Sequence, residues 1–153
     1  MEPHSFVRFG QQGGVELVYT APARALETKE TPQTFQKHRV HFDKLKGMSW
    51  IWIIDFAKME NRHYSSMGLT KQLITLISAE HDIGLKAIYL VNPNFWLRTT
   101  MTAMKPVLSK RFSAKLRLFE GTDTGLLLEL ENAGLERKWV LWLADMFKGP
   151  YFT

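Results

Sequence analysis

Three consecutive residues, Glu80, His81 and Asp82, place a carboxylate, an imidazole and a second carboxylate together, the side chains from which general acid–base catalysis is built. Neighbours in sequence project in different directions, so adjacency alone assembles no triad. The same stretch falls where a helix is expected to end, and a His there is favoured by the helix dipole. His38 and His41 stand three apart on an expected helix, a spacing that suits two metal ligands. The chain has no Cys, no third ligand is placed beside them, and Lys37 and Arg39 add positive charge, so a solvated basic helix face is the better reading. Asp55 closes an apolar run, where it serves either as a catalytic acid or as an acceptor that organises the next loop, and the second role is favoured. The glycines of "GQQGG", residues 10–14, lack both the strand-then-helix setting and the following Lys-Ser or Lys-Thr of a phosphate loop. No metal, nucleotide or other cofactor is therefore expected, and an enzyme built on Asp55 or on Glu80, His81 and Asp82 is the least supported reading.

The elements that would position these groups alternate along the chain. Residues 15–20 alternate as a first full strand, after a short strand and a turn. Thr31 and Pro32 read as an N-cap followed by Pro at the first helical position, with Phe35, His38, Phe42 and Leu45 at helical spacing and Gly47 as the stop. "WIWIIDF", residues 50–56, is β-branched and aromatic on both faces, as a buried parallel strand is. Ser65 and Ser66 precede a helix closed by Gly84, and residues 86–91 form a second buried strand. A helix over 94–108 carries Leu97, Met101, Met104 and Leu108 at spacings of four, three and four. A strand over 115–120 and helices over 123–133 and 136–147 complete the chain. This order predicts one α/β layered domain over 1–153, with a mainly parallel sheet flanked by helices.

With 153 residues, 45% hydrophobic and 23% charged, the chain has the composition of a soluble globular protein. Its longest apolar run, 48–54, is far too short to span a bilayer, and the early charge at the N-terminus does not suit a secretory signal. Together with the lack of Cys, this gives a cytoplasmic expectation, with peripheral contact to membranes. A net charge of +5 and a pI near 9.5 favour anionic partners. Lys37, Arg39, Lys44 and Lys46 form one basic cluster, and Lys110, Arg111, Lys115 and Arg117 another. No RNA-recognition signature or zinc finger accompanies them, so an anionic membrane surface is preferred to nucleic acid. The run 139–147, "WVLWLADMF", is apolar nearly all round. Packing on the sheet is its default role, and an exposed version would touch membrane or join two copies as a homodimer.

A Met and aromatic stripe at helical spacing is ordinarily core. Here it lies in a longer pattern: "IWIIDFAKM", then "IYLVNPNFWLRTTMTAMKPVLSKRFSAKLRLFEG". A buried strand ends at Ile54-Asp55, a later one ends at Asn92-Pro93, a helix runs to Lys105, Pro106, Val107 and Leu108, and Lys115-Leu116 opens the next strand. This order resembles the CRAL-TRIO lipid-binding domain, of the phosphatidylinositol-transfer and retinaldehyde-binding type, over residues 33–133. The resemblance implies a non-enzymatic protein with an apolar cavity closed by a movable gate helix over 94–108. It implies that Phe95, Leu97, Met101, Met104 and Leu108 line the gate, that Ile53, Tyr89 and Val91 form the floor, and that Lys115 meets the headgroup. Phe112 stands where phosphatidylinositol-binding relatives have Thr, and only Asp82 approximates their acidic residue, which implies a less polar ligand. Some relatives of this fold act as protein-interaction scaffolds, and a filled pocket would leave that role instead.

Overall fold

Two glycines start the sheet. Gly13 and Gly14 take positive φ, 56° and 78°, which a residue without Cβ adopts at little cost, and they turn β1 (Phe6–Gln12) back onto β2 (Val15–Thr20). This computed structural model describes residues 6–25, 30–60, 63 and 66–149. β3 (Ser49–Asp55), β4 (Leu85–Val91) and β5 (Leu116–Leu118) add to β2 in parallel, in the order β1-β2-β3-β4-β5. Each parallel pair needs a crossover. α1 (Thr34–Asp43) joins β2 to β3, α2 (Met67–Glu80) joins β3 to β4, and α3 (Phe95–Met104) with the short α4 (Lys110–Ser113) joins β4 to β5. α5 (Asp123–Asn132) and α6 (Arg137–Phe147) follow the last strand.

Strand order fixes the layers. When strands are added in chain order by right-handed crossovers, every connecting helix falls on the same face of the sheet. Elements after the last strand are then free to cover the other face. The packing has this form. Phe42, Leu76, Leu97 and Phe112, one from each of α1 to α4, share a core with Trp50, Trp52, Ile88 and Leu90. Leu126, Leu130, Val140 and Leu143 from α5 and α6 share a second core with Leu17, Tyr19, Ile53, Tyr89 and Val91. Side chains alternate across a strand, so β3 sends Trp50 and Trp52 to the crossover core and Ile53 to the closing core.

The α/β layering expected from the sequence is present, with differences at element ends. α1 starts at Thr34: Thr31 does not cap it but donates its N–H to Thr34 Oγ1 at 2.8 Å across a turn at Pro32-Gln33. Ser66 does cap α2, accepting from Leu69 N–H at 3.1 Å, while Ser65 lies outside the described residues. α3 stops at Met104 and continues only as a single 3-10 turn, Lys105–Val107. Pro106 has no N–H for a helical hydrogen bond, so the segment tightens and ends there. Leu108 is extended, and Ser109 then caps α4, an element absent from the sequence reading.

α6 packs against the sheet. Trp142 stacks on Phe9 at 4.4 Å, and the Trp139 ring lies over Gly10, where a Cβ would come within 2.5 Å of it. Buried Arg24 donates to the carbonyl of Met146 in the last turn of α6, a cation at the negative end of the helix. Leu141 is its prominently exposed apolar residue. No helix among the described residues is long and apolar enough to cross a membrane.

Candidate functional site

The carboxyl ends of β2, β3 and β4 are tied by one buried carboxylate. Asp55 Oδ2 accepts from the Tyr19 hydroxyl at 2.6 Å. Its Oδ1 accepts from Ala57 N–H at 2.9 Å and Asn92 Nδ2 at 2.8 Å. Asn92 adopts φ 53°, a left-handed conformation that Asn tolerates better than most residues. Both oxygens of Asp55 are thus occupied by donors that shape the loops, and the loop-organising role is the one seen.

α3 starts beside this knot. Asn94 caps it by accepting from Leu97 N–H at 2.9 Å, and its Nδ2 donates to the Met59 carbonyl at 3.2 Å. On the outer side Arg98 makes two hydrogen bonds to Glu120, at 2.9 and 2.6 Å, which hold the carboxyl below its usual range. Leu97 and Met104 are buried, and Met101 and Leu108 are half-buried against the crossover core. Phe95 does not belong to this inner stripe. Two residues before Leu97 is about 200° around a helix, and Phe95 is 71% exposed, edge-to-face with Trp96 at 5.5 Å.

The expected floor is on the wrong side. Ile53 pairs with Tyr89 and Asp55 with Val91, so Ile53, Tyr89 and Val91 do share one face. That face is closed by α5 and α6, and Tyr89 packs on Phe119 at 5.0 Å, its phenol pKa raised by burial. The residues on α3's face are Trp52, Ile54, Ile88 and Leu90. Lys115 is also elsewhere: its Nζ donates to the carbonyls of Asp82 and Leu85, at 2.6 and 2.7 Å, at the amino end of β4 and far along the sheet from Asn94. Asp82 is held by Arg111 at 2.6 Å.

The other chemical candidates disperse. Glu80 accepts from Arg39 and Lys46, His81 is buried against Trp50 and Phe42, and Asp82 faces Arg111, so the three form no triad. His38 Nδ1 meets the Thr34 carbonyl at 2.9 Å and His41 stacks on Phe6 at 4.8 Å. No group of three or more His, Asp or Glu among the described residues is arranged to hold a metal. A groove of about 460 Å³ runs between α1 and α2, bounded by Phe35, Arg39, Leu76 and Glu80. A hollow of about 420 Å³ lies near Ser49, Ser78, His81 and Gly84. No α3 residue lines either one.

The family model of the divergent CRAL/TRIO domain matches residues 37–130, more than half of the chain, from within α1 to within α5. The chain belongs to this family. Membership of the CRAL/TRIO group makes it a member of a lipid-binding family. The chain is also 28% identical, over 87 residues, to a Rho GTPase-activating protein, gacY, of Dictyostelium discoideum. The match takes in 57% of this chain and 12% of that relative, so the chain spans a small part of the relative's length.

Within this CRAL/TRIO domain, the sequence missed Trp52, Ile54, Ile88 and Leu90 as the sheet residues nearest in face to α3. The resemblance grouped Ile53, Tyr89 and Val91 as a floor, and alternation carries no sign for which face is which. The missing signal was strand order, which depends on long-range pairing.

Proposed function

We propose that this CRAL/TRIO domain is a non-enzymatic binder of a hydrophobic lipid, held between α3 and the sheet face bearing Trp52, Ile54, Ile88 and Leu90. The observation that supports this most is the construction of α3 as a separable cover. It is capped at Asn94, interrupted at Pro106, and turns Leu97, Met101 and Met104 inward. Methionine side chains are flexible and polarizable, so this lining can re-pack around an acyl or isoprenoid chain. Such a chain would leave water with a gain of about 25 cal/mol per Å² buried. Lifting α3 is the conformational step for uptake and release.

Exposed Phe95 and Trp96 stand at the start of the same helix, and Lys58, Lys105 and Lys110 are exposed cations of the chain. Aromatic rings sit well at a membrane–water boundary, and cations near an anionic leaflet add attraction. Peripheral docking on an anionic membrane from the cytoplasmic side, with lipid moved between membranes, follows as part of the same reading.

The test is mass spectrometry of an organic extract of the purified chain, beside native mass spectrometry of the intact species. A stoichiometric lipid is expected, and Met104→Trp, which fills the space under α3, should abolish it while the protein stays folded. A chain incubated with anionic vesicles that still carries nothing would overturn the reading. A protein-interaction scaffold is the second reading. It is favoured by the packing of Leu97, Met101 and Leu108 into the core under α3.

A further inference from the structure

Glu80 and His81 end α2, and each holds a different neighbour. Glu80 Oε1 accepts from Arg39 of α1 at 3.3 Å and from Lys46, in the turn after α1, at 3.4 Å. The His81 ring enters between Phe42 of α1 and Trp50 of β3, with centroids at 5.9 and 5.5 Å, and the residue is 1% exposed. Its Nε2 is buried with no hydrogen-bond partner. The backbone that carries the ring is held at both sides: His81 N–H closes α2 on the Ile77 carbonyl at 2.8 Å, and the His81 carbonyl accepts from Leu85 N–H at 2.9 Å, with the hollow of about 420 Å³ beside it. A neutral imidazole is tolerated among aromatic rings. An imidazolium there would bury a charge and an N–H without an acceptor.

We propose that Glu80 and His81 form an acid-sensitive latch that locks α2 to α1 and β3 while His81 is neutral, and that protonation of His81 expels its ring and releases the α1–α2 pair. The surrounding charges do not cancel this. Glu80 and Asp43 favour the imidazolium and Lys46 opposes it; Glu80 Oε1 is engaged by Arg39 and Lys46 while its Oε2 is buried without a hydrogen-bond partner, and Asp82 is engaged by Arg111. From β3 the ring meets Trp50, which brings no charge. Burial outweighs the favourable charges and lowers the imidazole pKa. The sign follows from linkage: the folded state refuses a proton that the unfolded chain accepts, so the latch is closed above about pH 6.5 and weakens as pH falls below it. Opening would act at the groove bounded by Phe35, Arg39, Leu76 and Glu80 and uncover Phe42 and Trp50. The inference is independent of lipid binding under α3.

Hydrogen exchange of the full chain tests it, at about pH 7.5 and about pH 5.5 with intrinsic rates corrected, across the range where an imidazole changes charge. Protection of residues 34–47 and 67–84 should fall on acidification, by up to about tenfold, as a local opening does. His81→Phe should abolish that change, whereas His38→Gln, which alters a partly buried imidazole of α1, should keep it. Equal protection of the wild-type chain at both values overturns the latch, as does an unchanged loss in His81→Phe. Should His81→Phe fail to fold, the wild-type ring is followed by NMR instead. His81 should then titrate below the ordinary imidazole range in step with changes at Phe42 and Trp50. Titration at the ordinary value with those rings undisturbed overturns the proposal.

Discussion

Asp55 shows how much one carboxylate can organise. Tyr19, Ala57 and Asn92 all donate to it from separate places in the chain, and it is fully buried. Removing the acceptor leaves one buried and two part-buried donors to find new partners, which is costlier than the loss of the bonds themselves. Asp55→Ala is therefore expected to lower stability by about 2–4 kcal/mol, read as a shift of the denaturant midpoint. Asp55→Asn keeps one acceptor oxygen and should cost about half as much. Equal stability of wild type and Asp55→Ala would mean that Asp55 is held there for chemistry rather than for the loops. At this scale the sequence was readable where a residue acts locally: a strand-end Asp announces itself, and Ser66 stands just before an expected helix that it does cap. The setting of His81 was not readable, because Phe42, Trp50 and His81 meet only after three elements have packed.

At the scale of the element, α3 is the part of the fold on which function turns. Its start was legible at Asn94, and Pro106 lies where a helix is expected to break. The consequence of the break was not: spacing carried the helix on to Leu108, whereas the chain leaves α-geometry at Met104 and forms a 3-10 turn and then α4. The family resemblance also put Phe95 with the inner stripe, though a displacement of two residues from Leu97 sends it outward. Pro106→Ala restores a backbone donor where helix growth now stops. It is expected to add about one turn of helix, since Pro is disfavoured inside a helix by about 3 kcal/mol relative to Ala. Far-UV circular dichroism should show the gain, and lipid release measured between vesicles should slow as the cover becomes one stiffer rod. Unchanged ellipticity would show that packing of Leu108, rather than Pro106, ends α3.

For the whole molecule, the sheet is a partition. Its sequential strand order puts α1 to α4 on one face and leaves α5 and α6 to close the other. The alternating pattern of strands and helices made the α/β class legible, while the side on which each strand residue would lie depended on pairings between distant segments. This is why Ile53, Tyr89 and Val91 were grouped correctly and placed under the wrong helices. The partition makes stability and ligand capacity separable. Leu143 is fully buried in the closing core, so Leu143→Ala should cost about 2–5 kcal/mol yet leave lipid content per folded molecule as in wild type. Leu97→Trp, on the opposite face, should reduce lipid content while shifting the unfolding midpoint less than Leu143→Ala does. Thermal unfolding and extract mass spectrometry on the two variants decide it. Loss of lipid from folded Leu143→Ala would place the ligand among Ile53, Tyr89 and Val91 under α5 and α6, and α3 would then be an ordinary crossover helix.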